Sequence, residues 1–109
     1  MRERIKRFLE RPNSIVLVAE EEGRIIGFAE GSVTAGVSRL GVIGVRREYR
    51  GRGIGLRLLE EFIKESKRRG AHKVHLWTPV ALKPAIKLYV EAGFVPEGSS
   101  GSTPMEWIW

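Results

Sequence analysis

Glycine occupies alternate positions in the segment YRGRGIGLRLLEEF, which begins at Tyr49 and continues as an amphipathic helical pattern. Because glycine has no Cβ atom, such a backbone can fold closely around an anion and direct several N–H groups at it. The first N–H groups of a helix are unpaired, and the helix dipole favours negative charge there. We therefore predict a phosphate-binding turn. Its glycines and flanking arginines are Arg50, Gly51, Arg52, Gly53 and Gly55.

Two familiar phosphate-binding motifs do not fit this segment. A P-loop requires Gly-Lys-Ser/Thr at the start of the helix, whereas Gly55 is followed by Leu56 and Arg57. The dinucleotide-binding fingerprint requires a small residue in place of Leu56 and a carboxylate about 20 residues further on, where the sequence reads KVHLW. A flexible connection without a ligand is the alternative, but it would not need alternating glycines with arginines between them.

The elements on either side of this turn are clearly patterned. The strand RLGVIGV ends near Val45, just before the turn. The helix after the turn carries charged residues on one face and apolar residues on the other. The apolar residues are Leu58, Leu59, Phe62 and Ile63. Gly70 suits the end of this helix. The turn thus joins a strand to a helix, as a phosphate-binding turn does.

Similar patterns assign the rest of the chain. Ile5, Phe8 and Leu9 predict an amphipathic helix over Arg2–Arg11, stopped by a proline. The runs SIVLVAE and IIGFAEGSV predict a hairpin, HKVHLWT a strand, KPAIKLYVEAG a helix, and FVPEG and PMEWIW two further strands. The predicted order α-β-β-β-α-β-α-β-β indicates a single mixed α/β domain over residues 1–109, with helices covering the sheet.

Composition narrows the classes of protein. Lys and Arg number 19 against 13 Asp and Glu, a net charge of +6, which favours nucleic acid, an anionic lipid surface or a polyphosphate cofactor as partner. Charge-rich composition is equally typical of heat-adapted proteins. The sequence has no cysteine, which excludes disulfides and indicates the cytoplasm. The apolar run Ser14–Ala19 is too short to span a membrane. His72 and His75 lie on opposite faces of a strand, so no metal site is expected.

Two motifs together resemble the GNAT superfamily of N-acetyltransferases. The pyrophosphate motif of that family, Arg/Gln-x-x-Gly-x-Gly/Ala, appears here as RGRGIG from Arg50, preceded by a hydrophobic strand. A second signature, Ala-x-x-Leu-Tyr-x-x-x-Gly-Phe, runs from Ala85 to Phe94. The resemblance covers residues 14–109. It implies a GNAT-like acyl-CoA N-acyltransferase fold, with a mixed, mostly antiparallel sheet flanked by helices.

The resemblance also implies acetyl-CoA and direct transfer of its acetyl group to an amine. The pantetheine arm would pair with the end of the third strand, through Ile43, Gly44 and Val45. The pyrophosphate would meet the N–H groups of Gly51, Arg52, Gly53, Ile54, Gly55 and Leu56. By the same resemblance, Tyr89 would be the acid that protonates the departing thiolate. Packing of a half-buried tyrosine on the sheet is the alternative role of Tyr89.

The chain departs from the family pattern at the acceptor side. Leu82 replaces an asparagine that often contacts the cofactor, and Thr78 stands on a strand where some members carry a catalytic glutamate. Glu30 is our candidate general base, with a water relay or an ordinary solvated glutamate as alternatives. The family usually begins with a strand and a helix, whereas this chain begins at what resembles the second helix. We therefore expect an N-terminally reduced fold whose acceptor side is truncated, open or completed by a partner.

Several functional questions stay open at this point. The acceptor is a peptide or protein N-terminus, a lysine or a small amine. The shared face of Trp107 and Trp109 in the last strand predicts a homodimer contact. A noncatalytic acyl-CoA-binding or regulatory domain is the first alternative function. A basic nucleic-acid-binding module is the second and least favoured one, and its binding would weaken steeply with salt.

Overall fold

The structure, a computed structural model, describes residues 3–79, 83–96 and 102–108. Its strands are β1 (Glu3–Arg11), β2 (Ser14–Glu21), β3 (Arg24–Thr34), β4 (Val37–Val45), β5 (Lys73–Pro79), β6 (Val95–Pro96) and β7 (Ser102–Ile108). Its helices are a short 3-10 helix (Arg47–Tyr49), α1 (Ile54–Arg68) and α2 (Lys83–Glu91). None of the described helices is long and apolar enough to cross a bilayer.

All the described strands form one sheet, in the order β1-β2-β3-β4-β5-β7-β6. β4 and β5 are parallel and are connected through α1, while the other described pairings are antiparallel. A parallel pair needs such a crossover because its strands cannot be joined by a tight turn. The prediction of a mixed, mostly antiparallel sheet is confirmed.

The β2–β3 and β3–β4 connections are tight two-residue turns. Glu22 and Gly23 have φ angles of 53° and 79°, and Ala35 and Gly36 have φ angles of 51° and 78°. Consecutive positive φ angles are typical of type I′ turns, whose twist matches that of the strands they join. The two turns fix the register of β4, the strand that leads into the glycine-rich segment.

The helix α1 packs on one face of the sheet through the apolar side chains that the sequence pattern identified. Leu58, Leu59 and Phe62 are fully buried. Gly31 on β3 allows this close approach, because a Cβ atom there would overlap the ring of Phe62 and the carbonyl group of Arg39. The contact fixes α1 against the middle of the sheet.

An ionic network centred on the nearly buried Glu65 ties the C-terminal end of α1 to the turn between β1 and β2. Glu65 accepts hydrogen bonds from Arg68 at 2.6 Å and from Arg69 at 2.9 Å. Hydrogen bonds from Arg68 and then Arg69 hold the pKa of Glu65 at about 2, against an opposing effect of burial. Arg69 also donates to the carbonyl oxygens of Arg11 at 2.5 Å and Ser14 at 2.6 Å. This network sets the position of the helix relative to the first two strands.

The prediction of a helix over Arg2–Arg11 is wrong, because this segment forms β1. Glu3 and Arg7 both point at α1, where they pair with Arg57 at 3.6 Å and Glu65 at 3.7 Å. The prediction took Ile5, Phe8 and Leu9 as one apolar face, but Phe8 is 58% exposed and lies at a register shift in the β1–β2 pairing. The first described element is therefore a strand, and not the second helix that the resemblance suggested.

Candidate functional site

The parallel strands β4 and β5 run side by side for only part of their length. Their pairing covers Val37–Arg39 on β4 and Lys73–His75 on β5. β4 nevertheless continues to Val45, and β5 continues to Pro79. Beyond the paired part, the described strands give β4 one neighbour, β3. The two strands thus separate into a gap, and the edge of β4 beside it offers backbone N–H and C=O groups to an extended ligand.

A bulge in β4 marks the start of this gap. Glu30 pairs with Val42 and Gly31 pairs with Leu40, which leaves Gly41 as an additional residue on β4. A bulge bends its strand and increases the local twist, which favours separation of β4 from β5. Gly41 does not stand out in the sequence pattern, although a glycine inside a strand is a known signal for a bulge. The residues predicted to pair with the pantetheine arm lie beyond it, and they are Ile43, Gly44 and Val45.

The turn predicted to bind phosphate, residues 50–56, is here called the glycine turn. Gly51 has a φ angle of 82° and Gly53 one of 79°, and a side chain on either would meet open space. Gly53 is the N-cap of α1, and among the described residues no side chain caps the helix and no acid stands in its first turn. The first hydrogen bond of the helix runs from the N–H of Arg57 to the carbonyl of Gly53, at 3.1 Å. The N–H groups before it are available to an anion, and they belong to Ile54, Gly55 and Leu56.

The two arginines of the glycine turn make different contacts. Arg52 lies 4.9 Å from the centre of the Tyr49 ring and pairs with Glu21 at 3.3 Å, so it is held at the surface. Arg50 donates from Nε to the carbonyl oxygen of Val45 at 3.1 Å. This bond positions the Arg50 guanidinium group between the end of β4 and the glycine turn. Of the two, Arg50 is the better placed to meet an anion there.

The helix α2 meets α1 next to the glycine turn and carries Tyr89. A Cβ atom on Gly55 would lie 3.4 Å from Cδ2 of Leu88 on α2. Tyr89 is 8% exposed, and its ring packs edge-on against Phe94 with centroids 6.0 Å apart. Burial raises the pKa of Tyr89 above its ordinary value. Its hydroxyl group therefore stays protonated at neutral pH and is chemically able to donate a proton.

The candidate base Glu30 lies on the opposite face of the sheet from α1. Its neighbour Gly31 faces Phe62 of α1, and successive side chains of a strand alternate between faces. The Glu30 carboxylate lies over the bulge, since a Cβ atom on Gly41 would be 2.7 Å from its Oε1 atom. The structure thus brings Tyr89 and the glycine turn to neighbouring helices, and leaves Glu30 across the sheet from them.

Some sequence predictions fall outside the described part of the chain. Leu82 lies there, and so do Trp109 and the side chain of Trp107, on which the predicted homodimer contact rests. Among the described residues, no cluster of His, Asp and Glu is arranged to hold a metal ion.

Known acetyltransferases are similar to this chain. The model of the acetyltransferase (GNAT) family matches residues 1–94. An uncharacterized N-acetyltransferase of Methanocaldococcus jannaschii is 32% identical over 96 residues, which cover 82% of this chain and 42% of that protein. The mycothiol acetyltransferase of an Arthrobacter species is 34% identical over 89 residues, which cover 76% of this chain and 28% of that protein. The match thus spans less than half the length of either relative.

A similar solved structure is the PaiA N-acetyltransferase of Thermoplasma acidophilum in complex with coenzyme A. It is 26% identical with a TM-score of 0.83, and the match covers 89% of this chain and 62% of that one. Because the match covers most of this chain at that TM-score, the fold is the acyl-CoA N-acyltransferase fold. Since the family model also matches most of the sequence, this chain belongs to the acetyltransferase (GNAT) family.

Proposed function

We propose that this chain binds acetyl-CoA and transfers its acetyl group directly to an amine. The observation that carries the proposal is the juxtaposition of the gap and the glycine turn. The free edge of β4 ends at Val45. Arg50, the first residue of the glycine turn, donates a side-chain hydrogen bond to the carbonyl oxygen of that residue. A long arm that ends in a pyrophosphate needs a free strand edge and an anion site next to each other. The coenzyme A bound to the Thermoplasma acidophilum relative supports this ligand.

The residues of the glycine turn fit the phosphate end of that ligand. Left-handed Gly51 and Gly53 leave the backbone open, and the positive end of the α1 dipole lies behind them. Within the described first turn of α1 there is no acidic side chain to repel an anion. Arg50 would add a guanidinium group at the side nearest β4. The arm itself would lie along the backbone of Ile43, Gly44 and Val45.

Acetyl-CoA supplies an activated acyl group as a thioester, and the chain supplies alignment and proton transfer. The N–C bond forms as the C–S bond breaks. One proton must leave the amine and one must reach the sulfur. Glu30 is our candidate to accept the first, and the Tyr89 hydroxyl to donate the second. Because Glu30 lies across the sheet from α1, the acceptor would enter from that face and meet the thioester in the gap.

The proposal also covers the acceptor, the cellular compartment and the oligomeric state. The acceptor is a primary amine on a peptide or protein N-terminus, a lysine side chain or a small molecule. We place the protein in the cytoplasm because its sequence has no cysteine. We keep the homodimer as part of the proposal, with the last strand as its contact.

Calorimetric titration with acetyl-CoA tests this proposal. The variant is Gly53→Val, and its matched control is Gly23→Val, because both glycines have a φ angle of 79° and open space around the added side chain. Valine is strained at such an angle, so both variants carry a similar cost to folding. We expect Gly53→Val to weaken binding at least tenfold, roughly the loss of one hydrogen bond to a charged group, and Gly23→Val to bind normally. A folded parent that does not bind acetyl-CoA contradicts the proposal.

A further inference from the structure

An open cleft of about 490 Å³ lies between β1 and the C-terminal half of α1. An α-helix rises about 1.5 Å per residue, so the charged side chains at this end of α1 lie roughly 15–20 Å from the glycine turn. The cleft is therefore separate from the proposed acetyl-CoA site, and it needs an explanation of its own.

Basic side chains outnumber acidic ones among the described residues that line this cleft. The basic residues are Lys6, Arg7, Lys64 and Arg68, here called the basic cluster, and the acidic residues are Glu61 and Glu65. Arg7 lies 3.7 Å and Arg68 lies 2.6 Å from the same carboxylate oxygen of Glu65. Glu65 thus holds the two guanidinium groups side by side, while the two side chains are 43% and 57% exposed. Adjacent, partly exposed guanidinium groups suit the recognition of further carboxylates.

The two lysines of the basic cluster extend this positive surface. Lys64, on α1, is 75% exposed and pairs with Glu61 at 3.5 Å. Lys6, on β1, is 50% exposed and pairs with Glu20 at 3.1 Å. Ion pairs at such exposed positions are weak, so each ammonium group can exchange one carboxylate for another at little cost.

The strand β1 forms one edge of the described sheet. Its only described neighbour is β2, so alternate N–H and C=O groups of β1 point away from the sheet. The pairing with β2 is regular from Glu3 to Arg7, and a register shift follows. An exposed edge of this kind can pair with an added strand, whose side chains alternate between the two faces of the sheet.

We propose that β1 and the basic cluster bind an acidic, extended polypeptide segment of a partner protein. The segment adds as a strand beside Glu3–Arg7, where its backbone pairs with the outward groups of β1. Its carboxylates contact the basic cluster, and charge complementarity therefore selects an acidic segment. This interaction does not involve the proposed acetyl-CoA site, so the failure of either proposal leaves the other standing.

Protection of the edge strand is the competing explanation for its charges. Charged side chains and bulges on an edge strand prevent it from pairing with other chains, and β1 has both. This explanation accounts for Lys6 and Arg7. It does not account for Lys64 and Arg68, which belong to α1 and line the same cleft.

Calorimetric titration with three short capped peptides tests the chemistry of the segment. The first peptide alternates glutamate and valine, the second has glutamine in place of glutamate, and the third has proline in place of valine and so lacks N–H groups that a strand needs. We expect the first peptide to bind, less tightly as salt is added, and the other two to bind at least tenfold less tightly. Equal binding of the second or third peptide, or no binding of the first, overturns the proposal.

Variants of the basic cluster test where the first peptide binds. Lys64→Gln and Arg7→Gln should each weaken it roughly two- to fivefold, as expected for an exposed ion pair. Arg47→Gln is the matched control, because it removes the same charge from an exposed residue outside the cleft. Lys64 makes its printed ion pair at the surface, so its replacement keeps the test valid even if Arg7→Gln fails to fold. Equal affinities of Lys64→Gln and Arg47→Gln for the peptide overturn the proposal.

Hydrogen exchange of the parent distinguishes strand addition from contact with side chains alone. With the first peptide bound, exchange should slow at alternate N–H groups of Glu3–Arg7, since these groups gain hydrogen-bond partners. Unchanged exchange along β1, at a concentration that saturates the chain with peptide, overturns the addition of a strand.

Discussion

Tyr89 is the candidate catalytic residue whose protonation state is set by its surroundings. It is nearly buried, it packs edge-on against Phe94, and burial raises its pKa. The contact with Phe94 is made by the ring, and only the hydroxyl group can donate a proton. Phenylalanine therefore preserves the packing and removes the proposed acid, which separates a catalytic role from a structural one.

We predict that Tyr89→Phe lowers the turnover number about 100-fold or more, the usual contribution of general acid catalysis, without changing the affinity for acetyl-CoA. Steady-state kinetics with an identified amine and calorimetric titration together provide the check. Unchanged turnover would exclude Tyr89 as the acid. A parent that binds acetyl-CoA but acetylates none of a wide panel of peptides, lysines and small amines would favour the noncatalytic binding domain.

The role of Gly41 at the bulge of β4 cannot be recognised from the residues around it in the sequence. The glycines of the turn stand out in the sequence because they occupy alternate positions, with arginine between two of them. Gly41 stands alone within a strand, yet its bulge lies where β4 leaves β5. Its importance comes from how β4 pairs with β3 on one side and, only in part, with β5 on the other, and β5 is distant from β4 in the sequence.

Among the elements, α1 is held in place by the ion pairs of Glu65 as well as by its apolar face. Glu65 has a side chain that is 10% exposed and pairs with Arg68 and Arg69. Its pKa in the folded chain is about 2, below the ordinary value of 4.5. A carboxyl group with a lowered pKa stabilises the fold fully above its unfolded pKa, and this contribution is lost as the pH falls through the folded value.

We predict that Glu65→Gln lowers the free energy of unfolding at neutral pH by roughly 2–3 kcal/mol, because it removes the carboxylate that pairs with the nearly buried Arg69 and with Arg68. The difference from the parent should shrink as the pH falls from about 4.5 towards 2. Urea unfolding at several pH values is the measurement. Glu61→Gln is the control, since Glu61 pairs with Lys64 at 3.5 Å at the surface and should cost under about 1 kcal/mol. Equal effects of the two changes at neutral pH would show that the ion pairs of Glu65 contribute no more to stability than a surface pair does.

The elements also show where sequence patterns succeed and fail. The helix after the glycine turn was predicted from its own apolar face, and α1 buries that face. β1 was predicted as a helix because Ile5, Phe8 and Leu9 recur at spacings of three and four, but Phe8 is 58% exposed. The deciding factor was pairing with β2, where Ile5 meets Ala19 and a register shift follows Arg7. Tertiary contacts of this kind are absent from a single-sequence pattern.

At the scale of the whole molecule, the candidate site combines one continuous segment, which contains β4, the glycine turn and α1, with the later elements β5 and α2. The glycine turn could be predicted locally, because its conformation depends on the glycines themselves. The gap could not be, since it depends on how far β4 pairs with β5 after the α1 crossover.

The central claim is that the gap and the glycine turn together hold one ligand. Nuclear magnetic resonance of the isotope-labelled chain, titrated with coenzyme A, tests it most directly because each backbone N–H group reports separately. We predict that the largest shift changes occur at residues 43–45 and 51–56, at the same ligand concentration for both segments. Changes confined to other parts of a folded chain, or at only one of these segments, would contradict the account.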